Sequence, residues 1–203
     1  MDEILIILLL ILLNGIFAMS EIAVIQARKT TLSNDEKKGS KGARTALRLA
    51  NDPDRFLSTV QIGITLIGIL TGIYSGASLS GKFSDVFESL GMAERWAYPL
   101  AQGLIVIAVT YLTIIFGELV PKRIGMSVAE RVSKVIARPM YVLSVIAGPF
   151  VWILSKSTEA IVNLLGVKNA ETKVTEEDIK SIVQEGKEDG EVQEVEQDIV
   201  ERV

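Results

Sequence analysis

The chain has 203 residues, of which 49% are hydrophobic, with a formal net charge of −4 and a mean hydropathy of +0.38, which is high for a soluble domain of this length. It contains no cysteine and no histidine, so disulfides, the usual zinc sites and histidine-assisted nucleophilic catalysis are excluded. The remaining chemistry belongs to oxygen ligands, which suit hard cations or ammonium groups.

Three long apolar blocks predict membrane spans. They run from about residue 4 to 25, from 56 to 79 and from 97 to 120, and a block of about 18 or more apolar residues is long enough to cross a bilayer. The first block follows Met1-Asp2-Glu3 instead of positive charge, which indicates a retained span and not a secretory signal. The predicted fold class is therefore an all-α membrane protein with three transmembrane helices.

The connecting segments predict the orientation in the membrane. Residues 26–55 are rich in lysine and arginine, with a short helix expected at about 40–51 that ends before Pro53. Basic loops stay in the cytoplasm, so the N-terminus and residues 80–96 are expected outside. The protein is then a multi-pass protein of the plasma (inner) membrane with a cytoplasmic C-terminus.

The last third of the chain predicts two further parts. Residues 135–166 are apolar but are interrupted by Pro139 and Pro149, which favours two juxtamembrane helices at the inner leaflet over a fourth span. We assign residues 1–168 to the transmembrane domain and 169–203 to an acidic, helical, cytosolic linker. Because the helical pattern reaches Val203 without a C-cap, we expect the natural chain to continue into a cytosolic domain.

Polar and small residues recur at helical spacing within the three blocks. Overlapping GxxxG patterns in the second block also allow a simple helix-packing seam as an alternative interpretation of its glycines. The residues concerned are Asn14 and Glu21 in block one, Ser58, Gln61, Thr65, Gly68 and Gly72 in block two, and Thr110, Thr113, Gly117 and Pro121 in block three.

Two carboxylates, Glu21 and Glu118, lie inside the apolar blocks. A charge in mid-bilayer costs roughly 3 kcal/mol on insertion scales, so each carboxylate needs a cation, a proton or a base. The structural alternative is that Glu118 pairs with Lys122 four residues later, and that Glu21 reaches towards Arg28.

We predict that Ser20, Thr65, Gly117 and Glu118 bound one cation site that is reached from the cytoplasm. Block depth places Ser20-Glu21 level with Gly117-Glu118, and Pro121 cannot donate to the carbonyl of Gly117. A bilayer makes such a carbonyl costly unless something binds it. Residues expected around this site or along its pathway are Asn14, Glu21, Ser58, Gln61, Thr113 and Pro121. We predict no catalytic or cofactor-binding residues and no enzyme activity, because no nucleophile–base pair is visible.

Three motifs in this order resemble the transmembrane domain of the cyclin M / CorC family. The motifs are Asn14 with FAMSEIA at 17–23, FLSTVQIGITL at 56–66 and GELVPK at 117–122, and the acidic VTEEDI at 174–179 resembles the family's linker. The resemblance implies a homodimer formed through membrane helices and a cytosolic pair of CBS modules after the linker. It also implies transport of Mg²⁺ or a related divalent cation, as Na⁺-coupled efflux, and we expect no nucleic-acid partner.

The middle motif departs from the family members that are best tied to Mg²⁺. Those members have asparagines just after the glycine of this motif, where this chain has Ile64, Thr65 and Gly68. The chain is more similar to the bacterial haemolysin-type branch, part of which is linked to export of diamines such as putrescine and cadaverine. A diamine exporter is therefore one alternative function, and a membrane-anchored regulator that transports nothing is another.

Overall fold

The computed structural model describes residues 2–165, which are helical almost throughout and include no strand. The predicted acidic linker and the 168/169 domain boundary lie outside the described residues. The helices are α1 (Asp2–Gln26), α2 (Lys29–Lys37), α3 (Lys41–Ala50), α4 (Pro53–Tyr74), α5 (Ser80–Ser89), α6 (Glu94–Ile114), α7 (Val120–Ser127), α8 (Ala129–Ile146) and α9 (Gly148–Leu164).

Three stretches of the described chain are long and apolar enough to cross a membrane, namely Glu3–Gln26, Pro53–Tyr74 and Glu94–Ser127. This confirms the all-α membrane fold, with three spans, or four if the bent helix pair of α8 and α9 also crosses. The third span does not end at Pro121, because a π-helical turn at Ile115–Leu119 carries the chain from α6 into α7. Pro121 lies in the first turn of α7, so the helical path continues past the proline. A second π-helical turn, Ser75–Leu79, joins α4 to α5.

Helix α1 packs between the other two spans, and three glycines allow the close approach. A Cβ at Gly15 would lie 2.8 Å from the carbonyl oxygen of Phe116, and one at Gly125 would lie 2.8 Å from that of Met19. Residue numbers therefore rise together along both helices, so α1 and α7 are parallel. On the other side, Gly63 of α4 lies directly against the ring of Phe17.

The helices at one end of the spans bury an apolar cluster contributed by α1 to α4 and α8, which includes Val24, Leu32, Phe56, Val60 and Met140. Two of the short helices were not predicted, α2 and α5. The helix expected at 40–51 is confirmed as α3. Short polar helices have little stability of their own, and α2 is held instead by the full burial of Leu32.

The stretch after the third span forms α8 and α9, which bend by 68° at Ala147. Pro139 lies inside α8 without ending it, whereas Pro149 lies in the first turn of α9. The pair is apolar enough for a span only when both helices are taken together. Its location along the inner leaflet stays a prediction.

The small-residue face of α4 makes no close helix contact within the described chain. A Cβ at Gly68, Gly72 or Gly76 would meet nothing within 4 Å. Homodimerisation through this face and the other membrane helices stays a prediction.

An ion pair outside the spans ties α2 to α8 and predicts a pH dependence. Lys134 Nζ donates to Asp35 Oδ2 at 2.6 Å, and this hydrogen bond lowers the pKa of Asp35 below its usual 3.8. The pair should therefore stabilise the fold above about pH 4 and cease to do so as the pH falls through the lowered pKa. We expect the melting temperature of wild type to fall more between pH 5 and pH 3 than that of Asp35→Asn, as measured by circular dichroism. Equal slopes for the two proteins would contradict this prediction.

Candidate cation site

A buried hydrogen bond between two spans joins α1 to the π-helical turn of the third span. Asn14 Nδ2 donates to the carbonyl oxygen of Gly117 at 2.9 Å, and both residues are buried. A Cβ at Gly117 would lie 3.1 Å from Asn14 Nδ2 and 3.3 Å from the carbonyl of Ile11, so a larger residue would push against both the Asn14 side chain and the backbone of α1. Pro121 has no N–H and cannot donate to the carbonyl of Gly117. Asn14 supplies a hydrogen bond to that carbonyl instead.

Two oxygen atoms at this junction are buried without a hydrogen-bond partner in the described part of the chain, Asn14 Oδ1 and Thr113 Oγ1. Thr113 Cγ2 would lie 3.4 Å from a Cβ on Gly117, so both residues adjoin the same glycine. Unpaired polar atoms are costly in a bilayer. The carbonyl of Gly117 also has a second lone pair, so this junction offers up to three oxygens to a cation.

A cavity of about 250 Å³ lies between α4 and α6 and is lined by Thr113 among others. Three more of its lining residues carry hydroxyls, Thr71, Ser75 and Thr110. Thr71 donates to the carbonyl of Ile67 and Ser75 to that of Gly72, which leaves their oxygen lone pairs available. Hydroxyl oxygens therefore continue from the Gly117 level towards the π-helical turn at Ser75–Leu79.

One lysine lies between the two carboxylates of the spans. Lys122 Nζ is 2.9 Å from Glu118 Oε1 and 3.7 Å from Glu21 Oε2. The side chains of Glu118, Lys122 and Glu21 are 50%, 33% and 26% exposed, so the group is accessible from outside the protein. The pairing of Glu118 with Lys122 matches the structural alternative drawn from the sequence.

The partner of Glu21 differs from the one suggested by the sequence. Arg28 follows the end of α1 at Gln26 and precedes α2, where the chain changes direction. Lys122 projects from the parallel neighbour α7 and is within reach instead. Sequence reasoning missed this role of Lys122, because it depends on which helix lies beside α1.

The structure brings together only part of the predicted four-residue site. Ser20 is fully buried and donates to the carbonyl of Ile16 in its own helix. It lies six residues after Asn14, which is about 9 Å along the axis, so Asn14 and not Ser20 is level with Gly117. This changes the depth match drawn from the sequence, and the inclusion of Ser20 stays a prediction.

The α4 residues of the predicted site lie apart from this junction. Gly63 of α4 contacts Phe17 of α1, and the two helices run in opposite directions, so Thr65 is at the depth of Gly15. Thr65 is exposed, however, and no side-chain hydrogen bond within residues 2–165 involves it. Gln61 is exposed and Ser58 half-buried. Among the described residues there is no group of three or more acidic side chains that could hold a metal.

A family model described as the cyclin M transmembrane N-terminal domain matches residues 5–196. UPF0053 protein sll0260 of Synechocystis is 42% identical over 99% of this chain. Proteins named polyamine export protein, from Salmonella typhimurium and Escherichia coli, are 32% and 31% identical over all of it. The chain covers 45% of the length of each of these relatives, and none of the three is named for an enzymatic activity.

Proposed function

This chain belongs to the family of the cyclin M transmembrane N-terminal domain, and from that premise we propose that it is the membrane part of a transporter for a small cation. The first candidate substrate is a divalent metal ion such as Mg²⁺. The observation that carries the proposal is the junction at Gly117, where Asn14 Oδ1 and Thr113 Oγ1 are buried without partners. On the family resemblance alone, we extend the proposal to Na⁺-coupled efflux.

The donor set at the junction suits a hard cation that is not held tightly. It consists of neutral oxygens from an amide, a hydroxyl and a carbonyl, with Glu118 one residue away to supply charge. Mg²⁺ prefers six oxygens at about 2.0–2.1 Å, so a partly hydrated ion is expected. Weak retention suits transport, since an ion that is bound too firmly cannot leave.

The hydroxyl-lined cavity supplies a direction for movement. It starts at Thr113 beside Gly117 and reaches Ser75, so a cation at the junction would find further oxygens towards the other end of α4. The carboxylates of Glu21 and Glu118 lie nearer the opposite end of α1 and the third span. We propose that these carboxylates attract the cation and that the junction then receives it.

A diamine is the second candidate substrate, and the pairing of Lys122 favours it. The ammonium group of Lys122 already lies between Glu21 and Glu118, so the same carboxylates can bind one end of an organic diamine through charge-assisted hydrogen bonds. Two of the relatives named above are polyamine export proteins. A regulator without transport would need neither feature.

Replacement of Glu118 by glutamine tests the proposal on the purified chain. We expect Mg²⁺ or putrescine to raise the melting temperature of wild type, and Glu118→Gln to weaken the apparent affinity about tenfold or more, since a charged hydrogen bond contributes about 1.5–3 kcal/mol. Calorimetric titration with Mg²⁺, Na⁺ and putrescine gives the affinities. Glu94→Gln, at the far end of the same span, is the matched control and should respond like wild type.

Each result of this titration has a distinct meaning. A response to Mg²⁺ supports the first candidate, and a response to putrescine alone supports the second. If no cation shifts the wild type, the transporter proposal is wrong. If Glu118→Gln responds as wild type does, the role given to Glu118 is wrong.

A further inference from the structure

A basic cleft lies at one end of the three spans, away from the cation site. Helix α1 ends at Gln26, α4 begins at Pro53 and the third span ends at Ser127, so these three points share one membrane face. Helices α2 and α3 connect the first two points, and α8 follows the third. We therefore expect the side chains between α2, α3 and the start of α8 to lie near the level of the lipid headgroups.

The cleft has a volume of about 620 Å³, and its walls are fixed by two contacts. A Cβ at Gly42 would collide with the carbonyl of Lys134, so α3 lies directly on α8. Lys134 is held by Asp35 of α2 at 2.6 Å. The lining residues are Asp35, Lys38, Gly39, Ser40, Gly42, Arg131, Lys134 and Val135.

The charge of the cleft is positive after its internal ion pair is subtracted. Asp35 and Lys134 neutralise each other, and the nearby Glu36 pairs with Arg44 at 3.7 Å. Within residues 2–165 no ion pair engages Lys38 or Arg131, and both side chains are exposed. Two cations without ion-pair partners in this part of the chain thus line the cleft, Lys38 at the C-terminal end of α2 and Arg131 of α8.

The N-terminus of α3 adds donors to these cations. The Ser40 side chain accepts from the N–H of Ala43, and the other first-turn N–H groups of a helix have no partner within it. These groups and the positive end of the helix dipole favour an anion such as phosphate.

The rim of the cleft is apolar on the α8 side, which bears on the source of the phosphate. Val135 is 73% exposed, and Val142 and Ile146 follow it at i+7 and i+11 on the same exposed face of α8. A soluble phosphate ion would make no contact with this apolar face, whereas the acyl chains of a lipid would cover it.

We propose that this cleft binds the phosphate headgroup of an anionic phospholipid, with Lys38 and Arg131 as the two direct cation contacts. The lipid would lie with its headgroup between α2 and α8 and its chains along the exposed face of α8. Basic pockets at a membrane face bind anionic headgroups by the same electrostatics. The proposal does not depend on which cation the protein transports.

The test compares retained lipid in two double variants of the purified chain. Native mass spectrometry in detergent measures the affinity for phosphatidylglycerol relative to phosphatidylcholine. We expect Lys38→Gln/Arg131→Gln to lower this preference about tenfold or more, because it removes both charge-assisted contacts to the headgroup phosphate. The control, Lys37→Gln/Arg138→Gln, removes the same charge from the same two helices outside the cleft and should stay within about twofold of wild type.

A third variant and a competitor distinguish a lipid site from misfolding, from diffuse charge attraction and from a soluble-anion site. Lys38→Arg/Arg131→Lys keeps the charges and should retain the preference, which excludes simple misfolding as the cause of a loss. An equal loss in both glutamine variants would show diffuse attraction and overturn the proposal, as would a wild type without preference. If inorganic phosphate alone displaces phosphatidylglycerol at equal concentration, the site is for a soluble anion and the lipid assignment is wrong.

Discussion

Replacing Gly15 with alanine is expected to destabilise the protein by about 1–3 kcal/mol, the usual cost of overpacking a tight interface. The new Cβ would lie 2.8 Å from the carbonyl oxygen of Phe116 and 2.9 Å from Pro121 Cγ. The backbone oxygen cannot rotate away, so α1 must move off the third span. Thermal unfolding in detergent, followed by circular dichroism, measures the loss.

Gly103→Ala is the matched control for this change. Gly103 is an exposed glycine of α6, and a Cβ there would meet nothing within 4 Å. Because alanine favours helix over glycine by about 1 kcal/mol, this variant should be as stable as wild type or slightly more so. Equal destabilisation by the two alanines would show that the close contact of α1 with the third span at Gly15 does not determine the stability.

Gly15→Ala is also expected to affect the candidate cation site. Asn14 adjoins Gly15, and its amide donates to Gly117 across the same contact. A displaced α1 would lengthen that hydrogen bond and separate Asn14 Oδ1 from Thr113. We therefore expect the cation response of the folded Gly15→Ala protein to fall together with its stability.

The three spans could be predicted because their signal is local. Length and continuous apolarity decide whether a helix can cross a bilayer, and neither depends on tertiary contacts. Helices α2 and α5 were not predicted, because their sequences carry no such local signal. In α2 the burial of one residue, Leu32, is a tertiary event, and the sequence of this segment is otherwise that of a polar loop.

Glycine spacing alone did not indicate which glycines contact other helices of the same chain. GxxxG patterns indicate Gly68, Gly72 and Gly76 as a packing face, and no described atom lies within 4 Å of a Cβ placed on them, so their contact with a second copy stays a prediction. The close contacts occur at Gly15, Gly63 and Gly125, outside those patterns. A small residue permits approach, but the neighbour that makes use of it is chosen by the whole packing arrangement.

The candidate site shows the same division. Helical periodicity predicted which polar residues share one face of α1 and of the third span. The missing N–H of Pro121 predicted that the carbonyl of Gly117 lacks its usual helical donor. The register between the helices, which puts Asn14 and not Ser20 beside that carbonyl, follows from contacts such as Gly125 against Met19. No sequence spacing within one helix contains that information.

Lys122→Met should destabilise the protein as much as Gly15→Ala does, but added cations should reverse this loss of stability. The change leaves Glu21 and Glu118 without the ammonium group that lies between them. Since the three side chains are partly exposed, we expect a loss of about 1–3 kcal/mol in buffer of low ionic strength, between the values for surface and buried pairs. Added Mg²⁺ or putrescine should restore the melting temperature, because either can replace the lost charge.

Arg123→Met separates this effect from a general loss of charge. Arg123 is the next residue, is exposed, and forms no ion pair within the described chain, so its variant should neither lose stability nor gain a cation response. If the proposed substrate cation binds these carboxylates, Lys122 competes with it, and Lys122→Met should then bind Mg²⁺ or putrescine more tightly than wild type in calorimetric titration. A variant that loses stability but gains no affinity would show that Lys122 only supports the fold and does not share a site with the substrate.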